Sequence, residues 1–207
     1  GGMLTGNFGY SFHFKQDVVN VVAAPMRNTL ELNLISMIIV FAITIPLGIA
    51  TAVRKGSVFD QGVQVFTVVG ISMPSFIVAL ICIVLFAVIL PIFPISGVYT
   101  AGITATGASA WTLFWDKMYH MCLPLIVMTI TSMASITRYV RTAMIDALSQ
   151  DYIRTARAKG LREKTVIYSH AFRNALIPVV TIMTGWFISI FTGSIVIESV
   201  FLWNGLG

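Results

Sequence analysis

The chain has 207 residues, 57% of them hydrophobic and only 10% charged, with a mean hydropathy of +0.89. These values exclude an ordinary soluble globular domain. The formal charge of +5 calls for no nucleic-acid partner, because basic residues flanking apolar runs account for it.

Residues 1–28 are mixed and read as an extracytoplasmic lead-in, with Pro25 and the Asn28-Thr29 pair suiting a helix start. Four apolar runs follow, at about 30–53, 63–93, 121–141 and 175–197. A helix needs about 20 apolar residues to cross a hydrocarbon core of about 30 Å, and three of the runs meet that comfortably. The run 121–141 is shorter and rich in hydroxyls, but Arg138 and Arg141 can snorkel and extend it. The predicted fold is an all-α polytopic transmembrane bundle with four spans. Pro46 and Pro74 fall inside spans, where neighbouring helices can re-satisfy the freed carbonyls. A static bend outweighs a gating hinge at each. The stretch Pro94–Thr112 reads as irregular, with a short helix near Trp111–Met118.

Basic residues set the orientation. Arg54 and Lys55 lie in one loop, and eight Arg or Lys side chains lie between Arg138 and Arg173, whereas Pro94–His120 has only Lys117 beside Asp116. The positive-inside rule puts the first two loops in the cytoplasm and the third outside. Both ends then lie outside, and the expectation is a transmembrane domain trimmed at each end. Glu31 and Glu198 fall at outer helix ends, where solvation at the interface is the expected role.

Catalytic patterns are absent from the sequence. No GxxxxGK followed by Ser or Thr is present, so the chain is not expected to bind ATP itself. There is no HExxH or GxSxG, and His13, His120 and His170 fall in three different loops. Cys82 and Cys122 suggest neither a disulfide framework nor a metal motif. No cofactor, metal or enzymatic activity is expected in this chain.

The third run carries Thr129, Thr131, Ser132, Ser135 and Thr137. Their spacing places Thr131 or Ser132 on one helical face with Ser135. These three residues are candidate pore-lining positions, although close helix packing is the commoner use of such hydroxyls. The fourth run repeats the pattern with Thr181, Thr184, Gly185, Ser189, Thr192, Gly193 and Ser194.

The segment Asp151–Arg173 is unusual for a membrane loop. Val140–Leu148 should continue the third helix, and Ser149 or Asp151 can cap a new one. Tyr152, Ile153 and Ala156 then share a face, Gly160 stops the helix, and a second helix spans Arg162–Arg173 with Val166, Ile167, His170 and Ala171 on one side. The cytoplasmic loop 142–174 is thus a helix–Gly–helix hairpin with an apolar ridge and a basic rim. Topogenic headgroup contacts, a surface-lying helix and a docking element all compete for it on spacing alone.

This loop resembles the EAA loop of binding-protein-dependent ABC importer permeases. Its Glu-Ala-Ala-x-x-x-Gly pattern falls on Arg154-Thr155-Ala156 and Gly160, so Ala156 and Gly160 match and the first two positions do not. The pair expected as Leu-Pro falls on Phe172-Arg173, with a proline only at Pro178. YIRTARAKGL followed by HAFRNALIPVVT is similar to the oligopeptide, dipeptide and nickel branch. So are the Gly6-Asn7-Phe8-Gly9-Tyr10-Ser11 stretch, Asn28–Leu32, and Ser72-Met73-Pro74-Ser75-Phe76. Glu198-Ser199-Val200-Phe201 with Gly205-Leu206-Gly207 also fits, with Asn204 where proline is usual.

The resemblance implies a six-helix fold with its first and last helices missing here. It implies a permease subunit, not an enzyme, in the bacterial cytoplasmic (inner) membrane, forming half of a path for short peptides, or alternatively for nickel or another small solute. The implied partners are a second homologous permease, two cytosolic ATPases that bind ATP and Mg, an extracytoplasmic solute-binding protein and membrane lipid. Tyr152, Arg154, Ala156, Gly160, Leu161 and His170 would form the ATPase-coupling loop. The reading from a different class is a motor-free secondary carrier or membrane scaffold. A carrier should place an ionisable group near mid-membrane, and no run has a charge near its centre.

Overall fold

The computed structural model describes residues 8–192 and 195–207, without the side chains of residues 189, 191 and 192. Gly6 and Asn7 of the first resembling stretch, Gly193 and Ser194 of the fourth run, and the Ser189 and Thr192 side chains therefore lie outside the description. A two-stranded ribbon opens the described chain, with β1 (Tyr10–Ser11) antiparallel to β2 (Gln16–Asp17). Most of the rest is helical: α1 (Val18–Val53), α2 (Val58–Ser72), α3 (Ser75–Ile83), α4 (Ala110–Leu148), α5 (Asp151–Ala158), α6 (Glu163–Thr165), α7 (Arg173–Thr192) and α8 (Ile195–Val200), with an irregular stretch before α4. Wider π turns follow α3 at Val84–Ile89 and join α6 to α7 at Val166–Phe172.

Among the described residues, Val18–Val53, Ala110–Leu148 and Glu163–Ile188 are long and apolar enough to cross a membrane. The pair Val58–Ser72 and Ser75–Ile89 supplies a fourth span if counted as one. Large apolar side chains such as Ile38, Val65, Ile177 and Ile188 stay exposed along these helices, as lipid-facing positions do.

Several boundaries differ from the sequence reading. α1 starts at Val18 rather than near Pro25. The Asn28 and Thr29 side chains are spent on tertiary partners instead of on a cap. The short helix expected near Trp111–Met118 is the opening of α4, started by Ser109, whose Oγ accepts the Thr112 amide at 3.3 Å. The second apolar run is broken. Helix α2 stops at Ser72 and Met73 is extended, because the residue before a proline is pushed out of the helical region.

The chain divides into two compact units. One contains Ser36–Pro74 and Met128–Ile188. Its core joins Val40, Phe41 and Ile49 of α1 to Val140 and Met144 of α4. Gly48 permits the closest approach, since a Cβ there would sit 2.6 Å from Val140 Cβ. Small residues serve this purpose in membrane bundles. The Ser57-x-x-Asp60 sequence starts α2 as a cap, with Ser57 Oγ accepting the Asp60 amide at 3.2 Å.

The other unit contains the chain up to Ile35, Ser75–Val127, and the chain from Ser189. Here α3 packs against α8. Glu198 is not solvated at an interface, as its position in the sequence suggested, but fully buried. Thr29 Oγ1 donates to it at 3.0 Å and the Gly207 amide at 2.7 Å, while Thr29 Oγ1 accepts the Leu206 amide at 2.9 Å. The end segment folds back over the acid, and a Cβ on Gly205 would overlap the Glu198 carboxylate. Glu31 is half-exposed and paired, to Arg27 at 2.7 Å and to the buried Lys117. Lys117 Nζ also donates to Asn28 Oδ1 at 3.0 Å.

Candidate functional site

The hairpin after α4 is built by sharp local rules. Helix α4 runs through Leu148, as expected, and keeps Val140, Met144 and Ala147 inward. Neither Ser149 nor Asp151 caps α5. The N-cap is Gln150, with no side-chain bond, and Ser149 Oγ donates to its own helix at Asp146 O, 2.8 Å. Only two residues therefore separate α4 from α5.

Gly160 closes α5 with φ of +73°. The Leu161 amide reaches Ala156 O at 3.4 Å and the Gly160 amide reaches Arg157 O at 2.9 Å. This double bond pattern is the Schellman stop, and it needs the left-handed conformation that glycine adopts without a Cβ penalty. A Cβ at 160 would meet nothing within 4 Å, so the requirement is conformational and not one of space.

The return strand of the hairpin is helical at once. Helix α6, the π turns and α7 continue from Glu163 to Thr192, so the second loop helix does not end near Arg173 as the sequence suggested. The hairpin therefore runs directly into a helix long and apolar enough to cross a membrane. Ile153 and Ala156 of α5 are buried with Val166, Ile167 and Ala171 in the core of this unit. Arg157 clamps the two arms, with Nη2 2.6 Å and Nε 3.2 Å from the Glu163 carboxylate. These bonds raise the Arg157 guanidinium above its ordinary pKa, so the charge stays fixed.

The structure separates the six loop candidates. Tyr152, Arg154, Gly160 and Leu161 are exposed along the rim, Ala156 faces inward, and His170 is half-buried. Arg154 reaches Asp151 at 3.3 Å and stays open to solvent. Tyr152 thus leaves the face it was expected to share with Ile153 and Ala156. Ala156 is buried in the core of this unit.

The pore-lining candidates also divide. Thr131 Oγ1 and Ser135 Oγ donate to carbonyls of their own helix, Met128 O at 3.2 Å and Ser132 O at 3.1 Å. Thr131 and Ser132 are half-buried, and Ser135 is exposed. Ser135 lines a cavity of about 480 Å³ with Arg138, Tyr139, Thr142 and Asp146.

Sequence reasoning missed an ion pair. Arg141 donates from Nε and Nη2 to the two Asp60 oxygens, each at 2.7 Å, with 3% of the Asp60 side chain exposed and 19% of Arg141. Asp60 Oδ2 also accepts the Gly56 amide at 2.9 Å. The pair fastens the first turn of α2 to α4. The available signal was the Ser57-x-x-Asp60 cap, which fixes where the carboxylate points. Among the described residues, no three His, Cys, Asp or Glu side chains gather as metal ligands would.

Comparison with known families matches residues 44–207 to the binding-protein-dependent transport system inner membrane component. The whole chain is 41% identical over 208 residues to the oligopeptide transport system permease protein AppB of Bacillus subtilis, covering 64% of that protein. It is 36% identical over 220 residues to the dipeptide transport system permease protein DppB of Escherichia coli K12, covering 65%. The di/tripeptide transport system permease protein DppB of Pseudomonas aeruginosa is 35% identical over 218 residues, again with 65% covered. The chain thus spans just under two thirds of the length of these relatives. With its apolar helices and a family match over most of its residues, the chain belongs to the inner membrane components of binding-protein-dependent transport systems.

Proposed function

We propose that the chain is the membrane subunit of an ATP-driven importer of short peptides, coupled to a cytosolic ATPase through the hairpin around Gly160. The observation that carries this reading is the hairpin itself. Its inner side is buried in the core of its unit, its basic rim is open, and it continues directly into α7. A push on Tyr152, Arg154 or Leu161 would pass through Ile153 and Ala156 to Val166 and Ala171, and from there into α4 and α7. The Asp60–Arg141 pair would carry the first turn of α2 with α4.

In this reading the two ATPase subunits bind ATP and Mg and hydrolyse it, and the chain itself does no chemistry. A second, homologous permease completes the path, and an extracytoplasmic solute-binding protein delivers the cargo. ATP shifts the inward–outward equilibrium only by its differential affinity for the two arrangements. The peptide cargo is supported by the names of the relatives. Ser135 is the hydroxyl best placed to face the path, with Thr131 and Ser132 beside it.

The test is a substitution series at Gly160 in the full-length protein. An L-residue in the left-handed region costs about 1–2 kcal/mol, with asparagine the best tolerated. Gly160→Asn should keep ATPase copurification and peptide uptake, and Gly160→Val should lose both. The proposal fails if no ATPase accompanies the wild type under gentle extraction, or if Gly160→Val behaves as wild type.

A further inference from the structure

The cavity beside α4 holds two opposite charges that the coupling account does not use. Arg138, Tyr139, Thr142 and Asp146 line it between Ile71 and Pro178. The Arg138 guanidinium and the Asp146 carboxylate have no ion-pair partner among the described residues, whereas Arg141 and Arg157 each hold a carboxylate. They cannot pair with each other easily. Eight residues of one helix separate them by a rise of about 12 Å, with Thr142 midway on the same stripe. Arg138 lies near the end of the predicted span 121–141 and Asp146 just beyond it, and both residues are exposed along this open side of α4.

The spacing selects a ligand. It must be anionic at one end, cationic at the other, and thin enough for a cavity within the range of about 300–1,000 Å³ that suits small ligands. An extended peptide rises about 3.3 Å per residue, so two to four residues bridge the poles once the Arg and Asp side chains lean inward. A guanidinium receives a carboxylate through two parallel bonds, an aspartate receives an ammonium, and the Thr142 hydroxyl can meet a peptide amide between them. The Ile71 and Pro178 walls make no polar demand on the peptide side chains.

We propose that this cavity is a peptide site at the inner end of the path, which reads the free termini of linear peptides of two to four residues: Arg138 takes the carboxylate and Asp146 the ammonium. The inference rests on the peptide-import reading above and adds a site to it.

The experiment is equilibrium dialysis of labelled trialanine against the assembled, purified transporter without its solute-binding protein. The expected result is saturable binding, weakened at least tenfold by amidation of the C-terminus or acetylation of the N-terminus. Arg138→Gln should erase only the preference over the amide, Asp146→Asn only the preference over the acetylated form, and Arg138→Lys should restore part of the first. No saturable binding to the wild type, equal binding of free and blocked peptides, or preferences unchanged in the variants would overturn the site. Release of the second permease by Arg138→Gln would overturn it too, by making this face a subunit contact. The two readings fail separately: a wild-type transporter that imports no peptide in vesicles sinks the function, whereas import with unaltered preferences in the variants sinks only the site.

Discussion

Removing Asp60 should destabilise the protein far more than its place in the first turn of α2 suggests. Asp60→Ala leaves the Arg141 guanidinium with 19% of its side chain exposed and no counter-charge. Breaking a buried pair in this way costs about 3–5 kcal/mol, and the residual exposure puts the expected loss near the lower end, about 3 kcal/mol. Loss of the hydrogen bond that the Gly56 amide donates to Asp60 Oδ2 at 2.9 Å adds about 1 kcal/mol. At about 2–4 °C per kcal/mol for a chain of this size, melting in detergent should fall by about 8–16 °C. Arg141→Ala should lose a similar amount, and the double variant much less than the sum, with a coupling energy of about 2–3 kcal/mol. Additivity within about 0.5 kcal/mol would refute the reasoning, because it would mean that the two groups do not share their energy.

Three further outcomes follow from the packing. Gly48→Ala drives a Cβ to 2.6 Å from Val140 Cβ and should cost about 1–3 kcal/mol by overpacking; Val140→Ala should recover part of it in the same melting assay. Glu198→Ala strips the acceptor from Thr29 and from the Gly207 amide, so hydrogen exchange should show faster exchange at Leu206 and Gly207. The Arg157–Glu163 clamp is exposed on both sides, and Glu163→Gln should leave the melting temperature nearly unchanged.

The legible parts of the sequence were those governed by composition or by one local rule. Apolar run length picked out helices long enough to cross a membrane, although the run 63–93 folds as two, and Gly160 announced a helix stop because the left-handed Schellman position admits little else. The same local rules misled where tertiary partners took the signal residues. Asn28 and Thr29 look like a cap, but their side chains serve Asn204, Lys117 and Glu198, so α1 could begin ten residues earlier, at Val18. Glu198 looks interfacial until the chain folds back to supply its donors. Asp60–Arg141 and the Arg138–Asp146 cavity depend on which face of α4 each residue occupies against α2 and α7, which periodicity alone does not give.

Cross-linking from the hairpin rim tests the central claim most directly. In the complete transporter with Cys82 and Cys122 replaced, Leu161→Cys should form an adduct with a cytosolic ATPase subunit in a nucleotide-dependent way, and Phe12→Cys on the ribbon should not. Labelling of Leu161→Cys from outside intact cells by a membrane-impermeant thiol reagent, with no ATPase adduct, would contradict the account.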